Sequence, residues 1–207
     1  MSREKFFSKV ARLAHLHYVV CGRRSHVKVW RTSFCSRLKE LPLIPGARID
    51  HVAVAVRDVA AAAPFYIDAL GGKFLFAGDS HEQGFRFVQF AYPEGGKIEL
   101  VTPLSPDSFV ARFLERRGEG AHHITFKTDD IETALGHLQS RGVPVMMVSV
   151  DRDEWKEAFI HPKDAHGVLV QIAESNWEDE EMARHHLSNH DGQGHRHPTF
   201  EELGFSR

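Results

Sequence analysis

Apolar and polar residues alternate through positions 49–56, and this period of two predicts a strand with His51, Ala53 and Ala55 on one face. Asp58 stands where a helix N-cap is wanted. A helix is therefore expected from there to Leu70, kinked at Pro64 and ended by Gly71-Gly72. Further strands are expected over 73–77, 85–91 and 97–102, with turn chemistry at Tyr92-Pro93-Glu94-Gly95-Gly96, so the unit is βαβββ. A linking helix is predicted over 105–118, with Phe109, Phe113 and Leu114 on one side and Gly118 and Gly120 ending it. The order then starts again. A strand is expected over 122–128, a helix from Asp130 to about Arg141, and strands over 143–150, 158–161 and 168–173.

The second pass repeats the first at a constant offset. His51 falls on His123, Asp58 on Asp130, Gly95 on Gly167 and Glu99 on Gln171, each 72 residues apart. Two copies are too few for a solenoid and indicate a duplicated module. If the copies pack about a pseudo-twofold axis, His51, Glu99, His123 and Gln171 converge. Two imidazoles, a carboxylate and an amide oxygen suit one divalent metal ion, with Zn, Fe, Co, Ni and Mn not distinguished. Any one of these residues taken singly is more simply a satisfied or solvated strand residue. Four linked by one offset favour the metal.

Charge divides the 207-residue chain unevenly. Residues 1–48 hold 11 Lys/Arg against Glu4 and Glu40, whereas the remainder holds 15 against 26 acids. The acidic body excludes nucleic acid as a partner, and no apolar run approaches a membrane span. The basic leader has helical spacing at Phe6, Phe7, Val10, Leu13 and Ala14, as a mitochondrial presequence does, but an over-long start would look the same. It lacks the continuous apolar core of a secretory signal. A cytoplasmic protein is expected, with the mitochondrial matrix as the alternative if the leader is a transit peptide. Truncation near Ala47 is expected to leave fold and metal intact. Cys21 and Cys35 both lie in the leader, so the body needs no disulfide and suits a reducing compartment. Residues 175–207 form an acidic tail carrying His185, His186, His190, His195 and His197, expected to be a disordered or partly helical surface segment.

Asp50-His51, Phe65-Tyr66, Gln83-Gly84 and Ile98-Glu99-Leu100 resemble the vicinal-oxygen-chelate superfamily, which includes glyoxalases, bleomycin-resistance proteins and dioxygenases. Leu104-Ser105-Pro106-Asp107-Ser108, the stretch from Phe113 to Gly120, His122-His123-Ile124 and His161-Pro162-Lys163 are similar to its methylmalonyl-CoA epimerase branch. The resemblance covers about residues 49–173, within a domain at 49–174 made of modules 49–103 and 121–174 joined by the linking helix. It implies an α+β fold in which two tandem βαβββ modules form a cupped mixed sheet around a metal cleft. It also implies metal ligands at His51, Glu99, His123 and Gln171, an acyl-CoA substrate and a homodimer. A metal there acts as a Lewis acid on the thioester and stabilises the enolate, while two bases serve the two faces of the carbon. The chain departs from the pattern at both expected bases. The ligand and base at the end of the last strand is Gln171 here, and the second base position falls on Phe87. Glu99 is then the obvious catalytic carboxylate, with His161, Asp164 and His166 as substitutes more simply read as structural. A glyoxalase I-like lyase and a non-catalytic small-molecule binder of the bleomycin-resistance type stand as alternatives.

Overall fold

A computed structural model describes residues 44–151, 155–188 and 197–205 of the chain. The first module runs β1 (Arg48–Ala55), α1 (Val59–Pro64), β2 (Lys73–Ser80), β3 (Phe85–Ala91) and β4 (Lys97–Pro103). A linking helix, α2 (Phe109–Arg117), leads to the second: β5 (Gly120–Lys127), α3 (Ile131–Ser140), β6 (Met146–Ser149), β7 (Lys156–Ile160) and β8 (Leu169–Glu174). All eight strands join one cupped mixed sheet in the order β2-β3-β4-β1-β5-β8-β7-β6. The modules meet where β1 pairs antiparallel with β5, and the order reads alike outward from that seam.

Local chemistry explains the elements. The Asp58 carboxylate accepts from the amides of Ala60 and Ala61, and Asp130 does the same for Thr133, so both helices start at their N-caps. Pro64 has no amide hydrogen to continue the α-helical ladder. The chain passes there into a π-helical turn over Phe65–Ala69, closed by Leu70 N donating to Phe65 O. β2 runs three residues beyond the expected end because Asp79 pairs across the sheet with Arg86, whose Nε and Nη2 donate over 2.6 and 2.7 Å. β6 is shorter than expected. Val143 N is taken by the end of α3, Pro144 has no donor, and Met147 bulges out with a φ of 50°.

Apolar residues fill both faces of the first module. Val56, Val59, Ala63, Val88, Phe90 and Leu100 form one core under α1, while Ala53, Ala55, Val101, Val110 and Leu114 pack beneath α2. The tail contributes to the fold rather than lying on the surface. Asp179–Ser188 form a helix, α4, with Met182 8% exposed, and it packs against β2. Leu203 and Phe205 then enter the core under α1 at 6% and 8% exposure. These few apolar residues are diluted by His and acids, so bulk composition hides them. Of the five tail histidines, His190 and His195 lie outside the described residues, as do residues 1–43 of the basic leader. Among the described residues no helix is long and apolar enough to cross a membrane.

Candidate metal centre

The seam between β1 and β5 places His51 opposite Thr125 and Ala53 opposite His123. The offset of 72 residues exchanges these two pairs, so a pseudo-twofold axis passes beside Val52 and Ile124, which face one another. β4 runs parallel to β1 with Glu99 beside Ala53, and β8 runs parallel to β5 with Gln171 beside Thr125. Strand register therefore draws residues from four strands to one patch. One ligand atom each from His51, Glu99 and His123 lies within 4.8 Å of the others. His51 Nε2 is 3.7 Å from Glu99 Oε2, and His123 Nε2 is 3.8 Å from Glu99 Oε1. Gln171 reaches the group through Thr125, whose hydroxyl lies against both Gln171 Oε1 and, at 3.0 Å, His51 Nε2.

The surroundings orient each of these side chains. Asp50 Oδ2 lies 2.7 Å from His51 Nδ1. Burial alone would raise the Asp50 carboxyl, but the His51 hydrogen bond and the Lys97 ammonium outweigh it and bring it down to about 2. A carboxylate only accepts, so Nδ1 carries a hydrogen and the contact directs Nε2 toward Glu99 and Thr125. Lys97 Nζ sits between Asp50 Oδ1 at 3.0 Å and Asp179 Oδ1 of α4 at 2.6 Å. Gln89 Nε2 donates to Glu99 Oε2 over 2.9 Å. His122, packed against Phe109 and Phe113, sets its Nδ1 2.9 Å from that of His123. Burial pushes His122 down to about 4 and His123 well below its usual value, so both rings are neutral. In the tautomer that places the shared hydrogen on His123 Nδ1, its Nε2 offers a lone pair to a cation.

The donor set fits a divalent cation. Thr125 gives its one proton to Gln171 Oε1 with His51 Nε2 3.0 Å from the same hydroxyl oxygen, and a buried Gln89 Oε1 has no partner among the described residues. A cation takes up lone pairs that one hydroxyl cannot satisfy. Two imidazoles, a carboxylate and an amide oxygen are the ligand types for such an ion.

The positions expected to hold bases look different in three dimensions. Phe87 is packed between Phe76 and His186 of α4, at ring distances of 6.2 and 5.6 Å. His186 also stacks on Phe76 at 4.7 Å, and burial pushes it down to about 3. His161, Asp164 and His166 do not join the centre. They lie exposed in the turn around Pro162–Asp164, where His161 Nδ1 accepts from Lys163 N. Gln89, Thr125 and Glu157 have no signal in the repeat, and Asp50 enters there only as the neighbour of His51 in a family motif. Glu157 accepts from Gln171 Nε2 over 2.6 Å and from Trp155 Nε1 over 3.1 Å, both at Oε2. Alternation along β7 would have placed Glu157 and Phe159 on one face, but only the pairing with β8 shows that this face is Gln171's.

The chain is similar to known proteins over the two modules that build this centre. The chain is 35% identical over 129 residues to the ethylmalonyl-CoA/methylmalonyl-CoA epimerase of Cereibacter sphaeroides, covering 60% of this chain and 96% of that protein. It is 35% identical over 131 residues to human mitochondrial methylmalonyl-CoA epimerase, covering 62% and 74% of the two chains. It superimposes with a TM-score of 0.57 on a variant of the Streptomyces coelicolor methylmalonyl-CoA epimerase in complex with 2-nitronate-propionyl-CoA. That match is 31% identical and covers 63% of this chain and 98% of the other. Residues 48–172 match the glyoxalase/bleomycin resistance protein/dioxygenase superfamily, and the chain belongs to that family.

Proposed function

We propose that the protein is a metal-dependent isomerase of the methylmalonyl-CoA epimerase kind, acting at the α-carbon of an acyl-CoA thioester. The observation that carries this reading is the buried His51–Glu99–His123 group at the pseudo-twofold seam of a chain whose relatives are such epimerases. His51, Glu99, His123 and Gln171 would hold one divalent ion. When bound, that ion supplies Lewis acidity that lowers the cost of the negative charge developing on the thioester oxygen. The chain supplies the rest. Asp50 and His122 fix the imidazole tautomers, Gln89 holds one oxygen of Glu99, and burial of the set at 2–9% exposure keeps water away. Gln171 cannot accept a proton near neutral pH. Glu99, the carboxylate of the group, takes the α-proton besides serving as a ligand.

Purified protein should contain about one equivalent of divalent metal and exchange the α-proton of methylmalonyl-CoA for deuterium in heavy water. A metal-loaded protein inert on a panel of acyl-CoAs would defeat the reading. Turnover of hemithioacetals would then indicate a glyoxalase-type lyase, and tight binding without turnover a binding protein. The same reading makes the protein a homodimer of the cytoplasm or the mitochondrial matrix, which light scattering and fractionation would test.

A further inference from the structure

The modules keep their offset of 72 residues along the seam and at β4 and β8, but it becomes 70 at β3 and β7. Gln89 pairs with Glu99 and Phe87 with Val101, while Phe159 pairs with Gln171 and Glu157 with Ala173. In register, Glu157 therefore occupies in the second module the place that Phe87 occupies in the first. Counting along the sequence at 72 would miss this correspondence, because 87 would fall on Phe159.

This changes the meaning of the two missing carboxylates. The positions where the family resemblance puts bases, 171 and 87, hold Gln and Phe. Their mates across the pseudo-twofold axis, 99 and 157, both hold Glu. We infer that the proton-transfer site is turned about its own pseudo-twofold axis, with Glu157 as the second catalytic carboxylate opposite Glu99. The inference rests on the α-proton-transfer reading above and adds a residue to it.

The local geometry suits that role. Gln171 and Trp155 both donate to Oε2 of Glu157, so that oxygen orients the carboxylate and Oε1 is the one to exchange protons. Gln171 turns its own carbonyl oxygen to Thr125, which puts Glu157 one amide away from the metal group. Glu99 approaches the group from β4 and Glu157 from β7, on opposite sides of the seam. The alternative slot at Phe87 is closed. Its ring lies over Gly78, where even a Cβ would come within 2.3 Å of it, and it packs against Phe76 and His186.

The step balances without another reactant. The Glu99 carboxylate takes the α-hydrogen as a proton, and the C–H electron pair passes into the thioester as an enolate. The Glu157 carboxylic acid gives its proton to the opposite face of that carbon, and the pair returns to form the new C–H bond. The configuration inverts, and the two carboxyl groups have exchanged protonation states. Turnover of the other enantiomer restores them.

The test compares wild type with Glu157→Gln and Glu157→Asp as metal-loaded proteins, using each enantiomer of methylmalonyl-CoA in heavy water. Glu157→Gln should slow inversion by about 100-fold or more, while deuterium still enters one enantiomer at a rate within about tenfold of wild type. Glu157→Asp should recover part of the inversion. Cobalt affinity, thioester Kd and Tm should stay near wild type in both variants, because Gln at 157 still accepts from Gln171 and Trp155. Inversion by Glu157→Gln within about threefold of wild type would overturn the inference and leave the proposed function standing. Loss of metal and an early melt in both variants would overturn it in favour of a structural role. An inert wild type would overturn the function and this assignment together.

Discussion

His51 donates from Nδ1 to the carboxylate of its own neighbour, Asp50, over 2.7 Å, and this turns Nε2 toward Glu99 and Thr125. Outer partners of this kind commonly contribute 10–100-fold to metal affinity. Asp50→Ala should therefore weaken cobalt or zinc binding by about that factor, read by titration against a competing chelator. An unchanged affinity would mean that the ring is oriented by its packing alone.

The 2.6 Å contact between Gln171 and Glu157 makes a prediction about charge. Gln171→Glu alone places two carboxylates in contact, and such pairs retain a proton near neutral pH. Metal affinity should then rise by less than about tenfold, with extra proton release on binding, because the metal must displace the shared proton. Adding Glu157→Gln removes the repulsion, and the double variant should bind metal more tightly than either single one. Calorimetry in two buffers of different ionisation enthalpy reads both quantities. Tighter binding by Gln171→Glu alone than by the double variant would contradict the contact.

Phe205 sits at 8% exposure among Phe74, Phe90 and Phe200. Phe205→Ala should lower unfolding free energy by about 3 kcal/mol, measured by urea denaturation. A loss below about 0.5 kcal/mol, the size expected of a surface position, would show that the C-terminus does not dock in solution.

His186 supplies a pH dependence. Burial beside Phe76 and Phe87, with His197 and His185 near, depresses it to about 3 in the folded chain. Unfolded, it takes up its proton near 6.5. Between those values the unfolded state binds more protons, so stability is full above about 6.5 and falls as pH drops toward 3. His186→Phe keeps the ring and removes the titration. Its stability profile should be flatter by about one proton over that window, and coincident profiles would rule the contribution out.

The sequence by itself determined a good deal. Periods of two and 3.6, the caps at Asp58 and Asp130, and one offset were enough for two βαβββ modules, because those signals are local or strictly repeated. The same repeat singled out His51, Glu99, His123 and Gln171 as one group. Tertiary structure decided what lies across strands. Glu157 meets Gln171 through a register shifted by two residues, which no constant spacing along the chain displays. Thr125 meets His51 through the seam. A partly helical tail was legible, but its docking was not, because the burial of Met182, Leu203 and Phe205 depends on where the chain turns, whereas composition averages them with their polar neighbours. Contacts are set by which backbones pair, and pairing is a property of the whole sheet.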